Sequence, residues 1–274
     1  MSVLDISDSE FALFQKLVLG LLGIKLTESK RALIVSRLYT RLKELKLENF
    51  TEYILYLKNN NNSKVELREF INRITTNETF FFREKGHFDF LAKTLIPEFI
   101  DKYKNRELRI WSSACSSGEE PYTIAMTVYP FIKAHPGFHV KILATDISTK
   151  VLEKAKAGVY SQESLAKVPV NLHATFFEVH SPDKVQVRPE LRSMITFKEF
   201  NLMSQRYPLK SPVDIIFCRN VMIYFSEEGK NFVLSKFSEH LQNQGYLFIG
   251  HSESLMSNQY HFELLQNTIY RKME

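Results

Sequence analysis

The sequence predicts a doubly wound, Rossmann-like α/β sheet preceded by an all-helical segment and interrupted by a small antiparallel β insertion. Three observations carry that expectation. Up to about residue 75, apolar residues recur at helical spacing. Beyond it, short apolar β-rich runs alternate with helical stretches, the pattern of a mainly parallel sheet buried on both faces. Between 158 and 200 that alternation breaks into short strand candidates separated by Ser-Pro-Asp and Arg-Pro-Glu turns.

The elements follow in order. Ser7 and Glu10 have the spacing of a capping box, and Phe11, Phe14, Val18, Leu21 and Leu22 then mark the buried face of a first helix. A second helix is expected over about 28–47, with Ile34, Leu38, Leu42 and Leu45 inward and Lys30, Arg37 and Arg41 in a row along one flank. Residues 50–57 read as a third helix, and 59–62 as an Asn-rich loop. Ser63 and Glu66 form another capping-box pair, opening a fourth helix that buries Val65, Phe70, Ile71 and Ile74. Strands are expected at 108–113, 140–144, 213–218 and 246–249, and helices at about 119–132, 149–157 and 227–241. The insertion, about 159–198, offers strands at 176–179, 185–187 and 194–197. At the C-terminal end, 262–266 and 268–271 read as two strands joined by a tight turn at Asn267. The expected division is 1–74 for a helical domain and 75–274 for the sheet domain.

Composition narrows the function classes. The 274 residues are 44% hydrophobic and 24% charged, with nine Gly and nine Pro, which excludes collagen-like and wholly disordered chains. No uninterrupted apolar run approaches the ~18–20 residues of a membrane span, since 17–24 is closed by Lys16 and Lys25. The polar, acidic start MSVLDISDSEF lacks the pattern of a secretory signal. Two cysteines, Cys115 and Cys218, make no disulfide framework and, without clustered His, no metal site is expected. A cytoplasmic setting follows as the expectation. The net charge is +5, and Lys25–Lys46 alone holds seven basic residues against Glu28 and Glu44, so a basic surface and an acidic partner are expected there.

Ligands of open α/β sheets bind beyond the carboxyl ends of the strands, and four segments fall there. The turn at 112–121 (SSACSSGEEP) has one glycine, so the dinucleotide fingerprint fails. Glu119 and Glu120 at the helix start also disfavour a phosphate. Asp146 closes the second strand, where a carboxylate can accept the two hydroxyls of a ribose, or alternatively cap the next helix. Arg219 and Asn220 follow the buried 213–217 run, while Cys218 reads as a small buried residue and not as a nucleophile. In the linking stretch 75–84, Phe80 and Phe81 read as interdomain packing, and Asn77, Thr79 and Arg83 can reach one pocket together.

Together these segments resemble the chemotaxis receptor methyltransferases (CheR type), which carry T-x-N-x-T-x-F-F-R, S-x-G-E-E-P-Y, F-C-R-N-V-x-I-Y-F and G-H-S-E-S/N motifs. They stand here at 75–83, 116–122, 217–225 and 250–254. The resemblance spans essentially the whole chain. It implies a methyltransferase sheet, S-adenosyl-L-methionine as cofactor with S-adenosyl-L-homocysteine as product, and glutamates of chemoreceptor helices as substrate, giving γ-glutamyl methyl esters. Carried over residue by residue, it implies a cofactor pocket of Asn77, Thr79, Arg83, Glu120, Asp146, Asn201, Leu202, Arg219 and Asn220, with Asn201-Leu202 on the adenine side. Arg83 is expected to steer the substrate carboxylate, with Tyr224 and Arg219 orienting it or the cofactor.

A carboxylate with a pKa of about 4.3 is ionised at neutral pH, so no general base is required. Lys30, Arg37 and Arg41 are expected to dock on the acidic methylation helices. No nucleic-acid partner, no membrane insertion and a monomer complete the expectation. In one departure, the loop at 178–185 is short and lacks the glycine of relatives that tether to a receptor pentapeptide, so tether independence is expected. The rivals are a cofactor-binding adaptor without catalysis, a nucleic-acid methyltransferase, for which 219–222 matches neither an N-P-P-Y-like loop nor a catalytic Cys, and, more distantly, a nicotinamide oxidoreductase.

Overall fold

The structure is a computed structural model that describes residues 5–58, 63–103, 106–255 and 259–273. Four helices come first: α1 (Asp8–Leu22), α2 (Arg31–Leu45), α3 (Phe50–Lys58) and α4 (Ser63–Ile74). The capping box opens α1, with Glu10 N donating to Ser7 Oγ and Ser7 N to Glu10 Oε2. Gly23, left-handed at φ 67°, ends it. Phe14 is the centre of the helical core, stacked on Phe70 and edge-on to Phe50, with ring centroids 5.9 Å away in both cases.

One expected core position is corrected. Val65 is 75% exposed, and its neighbour Glu66 points inward instead. The Glu66 carboxylate accepts from Arg41 Nε (3.0 Å) and Nη2 (2.5 Å) and from the Tyr53 hydroxyl (2.8 Å), so a buried charge is paired and hydrogen-bonded. The Ser63 side chain of the expected capping box and the expected loop at 59–62 lie outside the described residues.

The strands are β1 (Leu108–Ser112), β2 (Val140–Asp146), β3 (Val159–Ser161), β4 (Phe177–Ser181), β5 (Lys184–Val187), β6 (Ile195–Glu199), β7 (Val213–Cys218), β8 (Leu241–Ile249), β9 (Phe262–Gln266) and β10 (Ile269–Lys272). Seven form one sheet in the order β6-β2-β1-β7-β8-β10-β9. Parallel pairing runs from β6 to β8, and β10 is antiparallel to both its neighbours. Asn267 and Thr268, both at positive φ, make the two-residue turn into β10.

Around the sheet stand α5 (Gly86–Phe90), α6 (Ile96–Lys102), α7 (Glu119–Ala134), α8 (Thr149–Ala157), α9 (Val170–Phe176), α10 (Pro189–Arg192) and α11 (Glu227–His240). Alternate strand residues feed two cores: Ile110 and Phe217 pack with Phe88 and Ile124 on one face, Trp111 and Ile216 with Val233 and Phe237 on the other.

The insertion differs from expectation. Its antiparallel sheet is β3-β5-β4, and the third expected strand is β6, which leaves it to edge the main sheet with Ile195 opposite Ile142. The helical stretch over α5 and α6 has no counterpart in the sequence reading.

Among the described residues, several hydrogen bonds clip the helical part to the sheet part. Gly23 O accepts from Ser226 N (2.8 Å), and Lys25 N donates to Tyr224 O (2.9 Å). On α4, Asn72 Oδ1 accepts from Ser148 Oγ (2.8 Å) and Lys150 N (3.4 Å), covering the α8 N-terminus whose own cap residue, Ser148, makes no side-chain cap bond.

Candidate functional site

A cleft of about 1300 Å³, counting the space open to solvent, lies beyond the carboxyl ends of β1, β2 and β7, where the strand order switches direction. All nine residues expected around the cofactor line it: Asn77, Thr79, Arg83, Glu120, Asp146, Asn201, Leu202, Arg219 and Asn220. Tyr224 and Lys30 line it too, together with Leu22, Ile24, Lys25 and Leu26 of the helical part.

The floor is the turn after β1. Neighbouring strands pin its backbone: Ser113 N donates to Phe217 O and Cys115 N to Thr145 O, both at 2.8 Å. Gly118 sits at φ 97°, and a Cβ there would lie 2.8 Å from Tyr160 Oη and 2.9 Å from Ala155 Cβ. This close approach brings the α7 N-terminus against α8 and splits the Glu pair. Glu120 faces the cleft, taking Ser112 Oγ (2.7 Å) on one oxygen and Arg219 Nη1 (2.9 Å) on the other. Glu119 is buried away from it, bonded by Ser117 Oγ, and burial raises its carboxyl pKa.

Asp146 ends β2 with Oδ2 accepting Ser116 N (2.8 Å) and Oδ1 accepting Ser148 N (2.9 Å). Acceptor capacity therefore remains on the carboxylate for a ligand. Burial raises its pKa, outweighing the N–H groups of Ser148, Ser116 and Ile147. The helix-cap alternative does not hold, because Ser148 occupies the α8 cap position.

Arg219 is buried, its side chain 2% exposed. Its guanidinium donates to Glu84 Oε2 from Nη2 (3.1 Å) and Nε (3.3 Å), to Glu120, and to the Arg83 carbonyl. It thus braces the cleft wall. Asn220, at φ 58°, turns its Nδ2 to Glu84 Oε1 (3.2 Å) and its N–H to Glu253 Oε2 (2.9 Å).

Two carboxylates that the sequence reading left without a role organise this wall. Glu253 also accepts Gly250 N (2.6 Å) and Ile223 N (3.2 Å), and burial raises its pKa despite those bonds. Burial pushes Glu84 up as well, but His251 N–H, Arg219 and Asn220 together bring it below its ordinary value. Their signal was the acid that ends the first motif stretch and the acid of G-H-S-E.

The remaining candidates divide. Arg83 lies over the Phe80 ring at 5.7 Å and gives Nη1 to Glu78 O (2.9 Å), leaving further donors of its five for a ligand. Asn201 Nδ2 donates to Leu21 O (2.8 Å), which ties the cleft wall to α1. Arg37 Nη1 donates to Ile74 O (2.9 Å) and Thr75 O (3.0 Å), and Arg41 holds Glu66 and Glu44. Both guanidiniums are engaged within the helical part, whereas Lys30 faces the cleft. Cys115 and Cys218 are buried thiols whose pKa burial pushes well up, as suits packing residues.

Comparison with known proteins matches two stretches of the chain to one family. Residues 9–75 match the family described as CheR methyltransferase, all-alpha domain, and residues 77–271 match CheR methyltransferase, SAM binding domain. A chemotaxis protein methyltransferase of Borreliella burgdorferi is 42% identical over 273 residues, covering 98% of this chain and 96% of the relative. The corresponding Escherichia coli protein is 40% identical over 270 residues, covering 97% and 92%. Chemotaxis protein methyltransferase 2 of Pseudomonas aeruginosa is 39% identical over 255 residues, covering 91% and 88%.

Proposed function

The chain belongs to the CheR methyltransferase family, an S-adenosylmethionine-dependent methyltransferase of chemotaxis, and from that premise we propose that it esterifies the γ-carboxylate of glutamates in chemoreceptor helices. The observation that carries the reading is the donor set of the cleft. Acceptors, Asp146 and Glu120, stand at the strand ends, while Arg83 and Lys30 bring positive charge to the same cleft.

That set fits the cofactor. Asp146 lines the cleft with acceptor capacity left for a ribose hydroxyl, and Leu202, Ile147 and Phe200 offer apolar surface for a base. The Glu120 carboxylate suits a cationic ligand better than a phosphate. Bound S-adenosylmethionine supplies a methyl group that its sulfonium already makes electrophilic. The residues of the chain therefore need only bring a carboxylate into line and strip its water. Arg83 and Tyr224 are the groups proposed to hold that carboxylate, and Arg219, fixed between Glu84 and Glu120, keeps the wall behind them in place.

The substrate helices lie in the cytoplasm under this reading. Among the described residues, no helix is long and apolar enough to cross a membrane. Only Pro182 and Asp183 separate β4 from β5, which supports methylation without a receptor pentapeptide tether. Calorimetry should find no micromolar binding of such a peptide.

The test of the reaction is incubation with radiolabelled S-adenosylmethionine and receptor-bearing membranes. Label on a receptor that mild base releases supports glutamyl ester formation. Label stable in base overturns it, and tight cofactor binding without transfer would favour a non-catalytic adaptor.

A further inference from the structure

Behind the cleft wall, Glu84, His87 and the loop residue His251 each offer one ligand atom within 4.8 Å of the others. We propose that these three residues form a binding site for a divalent transition-metal ion, with Zn2+ the best chemical match. The argument begins with His87, which is 1% exposed. Its Nε2 lies 3.1 Å from Asn267 O and 3.1 Å from Thr268 Oγ1. The carbonyl can only accept, and the Thr268 hydroxyl is itself donated to that carbonyl at 2.5 Å, so Nε2 carries the ring proton. Nδ1 then presents a bare lone pair. It is buried without a hydrogen-bond partner and faces Glu84 Oε2 at 3.6 Å.

Two acceptors facing each other, one of them fully buried, repel unless a cation lies between them. A metal ion between them would remove that repulsion. Two ligands of a tetrahedral zinc stand about 3.4 Å apart, close to the separation seen here. The carbonyl on Nε2 is the outer partner that metal-bound imidazoles commonly have, fixing their tautomer.

His251, exposed and with its ring 5.1 Å from that of His87, supplies the third ligand on the solvent side and leaves a fourth position for water. Two imidazoles and a carboxylate suit zinc better than magnesium or calcium. Arg219 shares Glu84 Oε2 at 3.1 Å, but its charge is balanced by Glu120 at 2.9 Å on its other side. The sequence hid the site because His251 lies far along the chain from Glu84-x-x-His87. The proposal rests on geometry alone and does not depend on which substrate the cleft methylates.

The test uses the full chain stripped of metal by a chelator, titrated with Zn2+ by calorimetry and with Co2+ by visible absorption. One ion per chain and the bands of four-coordinate cobalt are expected. His251→Ala should weaken binding by about 10–100-fold without altering the metal-free melting temperature. His251→Cys, which keeps a zinc ligand, should restore it. Absence of saturable binding in the micromolar range, or equal binding by His251→Ala, would overturn the site.

Discussion

At Asp146 one carboxylate is shared between the turn it organises and the ligand it faces, and that sharing sets its pH behaviour. Burial raises its pKa above the ordinary 3.8. The folded chain thus keeps a proton that the unfolded chain has already lost, so this contribution to stability falls as pH rises from about 4 through the raised value, then levels. Asp146→Asn should remove that slope from a series of denaturation curves. Cofactor affinity should move oppositely, weakening as pH falls through the raised value, because the ionised form is the stronger acceptor. At neutral pH the same variant should lose about 10–100-fold in cofactor affinity, the size of hydrogen bonds to a charged group. For Arg83, turnover should separate from binding. Arg83→Ala should lower kcat by about 100-fold with a smaller change in cofactor Kd, and Arg83→Lys should recover part of it, since a lone ammonium lacks the planar fork. Asp146 was legible because it closes a strand, and Arg83 because it ends a short motif. Glu84 and Glu253 stood in or beside the motifs, but their roles were not legible, since a carboxylate that braces a wall leaves no periodic trace.

The turn after β1 shows how one helix is set by a single small residue. Gly118→Ala places a Cβ in left-handed backbone, at about 1 kcal/mol, and drives it into Tyr160 and Ala155, at about 1–3 kcal/mol more. A lower melting temperature together with weakened cofactor binding is expected, and unchanged calorimetric affinity would show that the α7 position does not matter. At the α8 N-terminus, Asn72→Ala should cost about 1 kcal/mol, the size of a lost cap, although the residues it serves, Ser148, Thr149 and Lys150, are remote in sequence. Element types were readable from periodicity: 149–157 and 213–218 match the observed bounds of α8 and β7. Which sheet a strand joins was not. The third insertion strand has the same alternation whether it closes a hairpin or edges the main sheet, and the edge open beside β2 decides it. Val65 and Glu66 exchanged sides for a comparable reason, because hydropathy cannot register that Arg41 and Tyr53 wait opposite a carboxylate.

Across the molecule, the basic row of α2 and the turn before it serves two ends. Arg41→Ala strands a buried Glu66 and should destabilise the fold by about 3 kcal/mol, a loss visible in melting curves without any receptor. Lys30→Glu should leave stability near normal and reduce receptor methylation, with the deficit shrinking as salt screens the docking charge. The two-part organisation was legible in the change of periodicity near residue 75, but the joint between the parts was not, because it pairs main-chain groups such as Gly23 O with Ser226 N and Lys25 N with Tyr224 O, and polar side chains such as Asn72 and Asn201 with groups remote in sequence. That joint makes the cleft a composite, with Leu22, Ile24 and Lys30 on one side and Asp146 and Asn220 on the other. A ligand gripping both sides is held by both parts at once. Thermodynamic reciprocity then ties two events together: the factor by which a docked receptor changes cofactor affinity must equal the factor by which the cofactor changes receptor affinity.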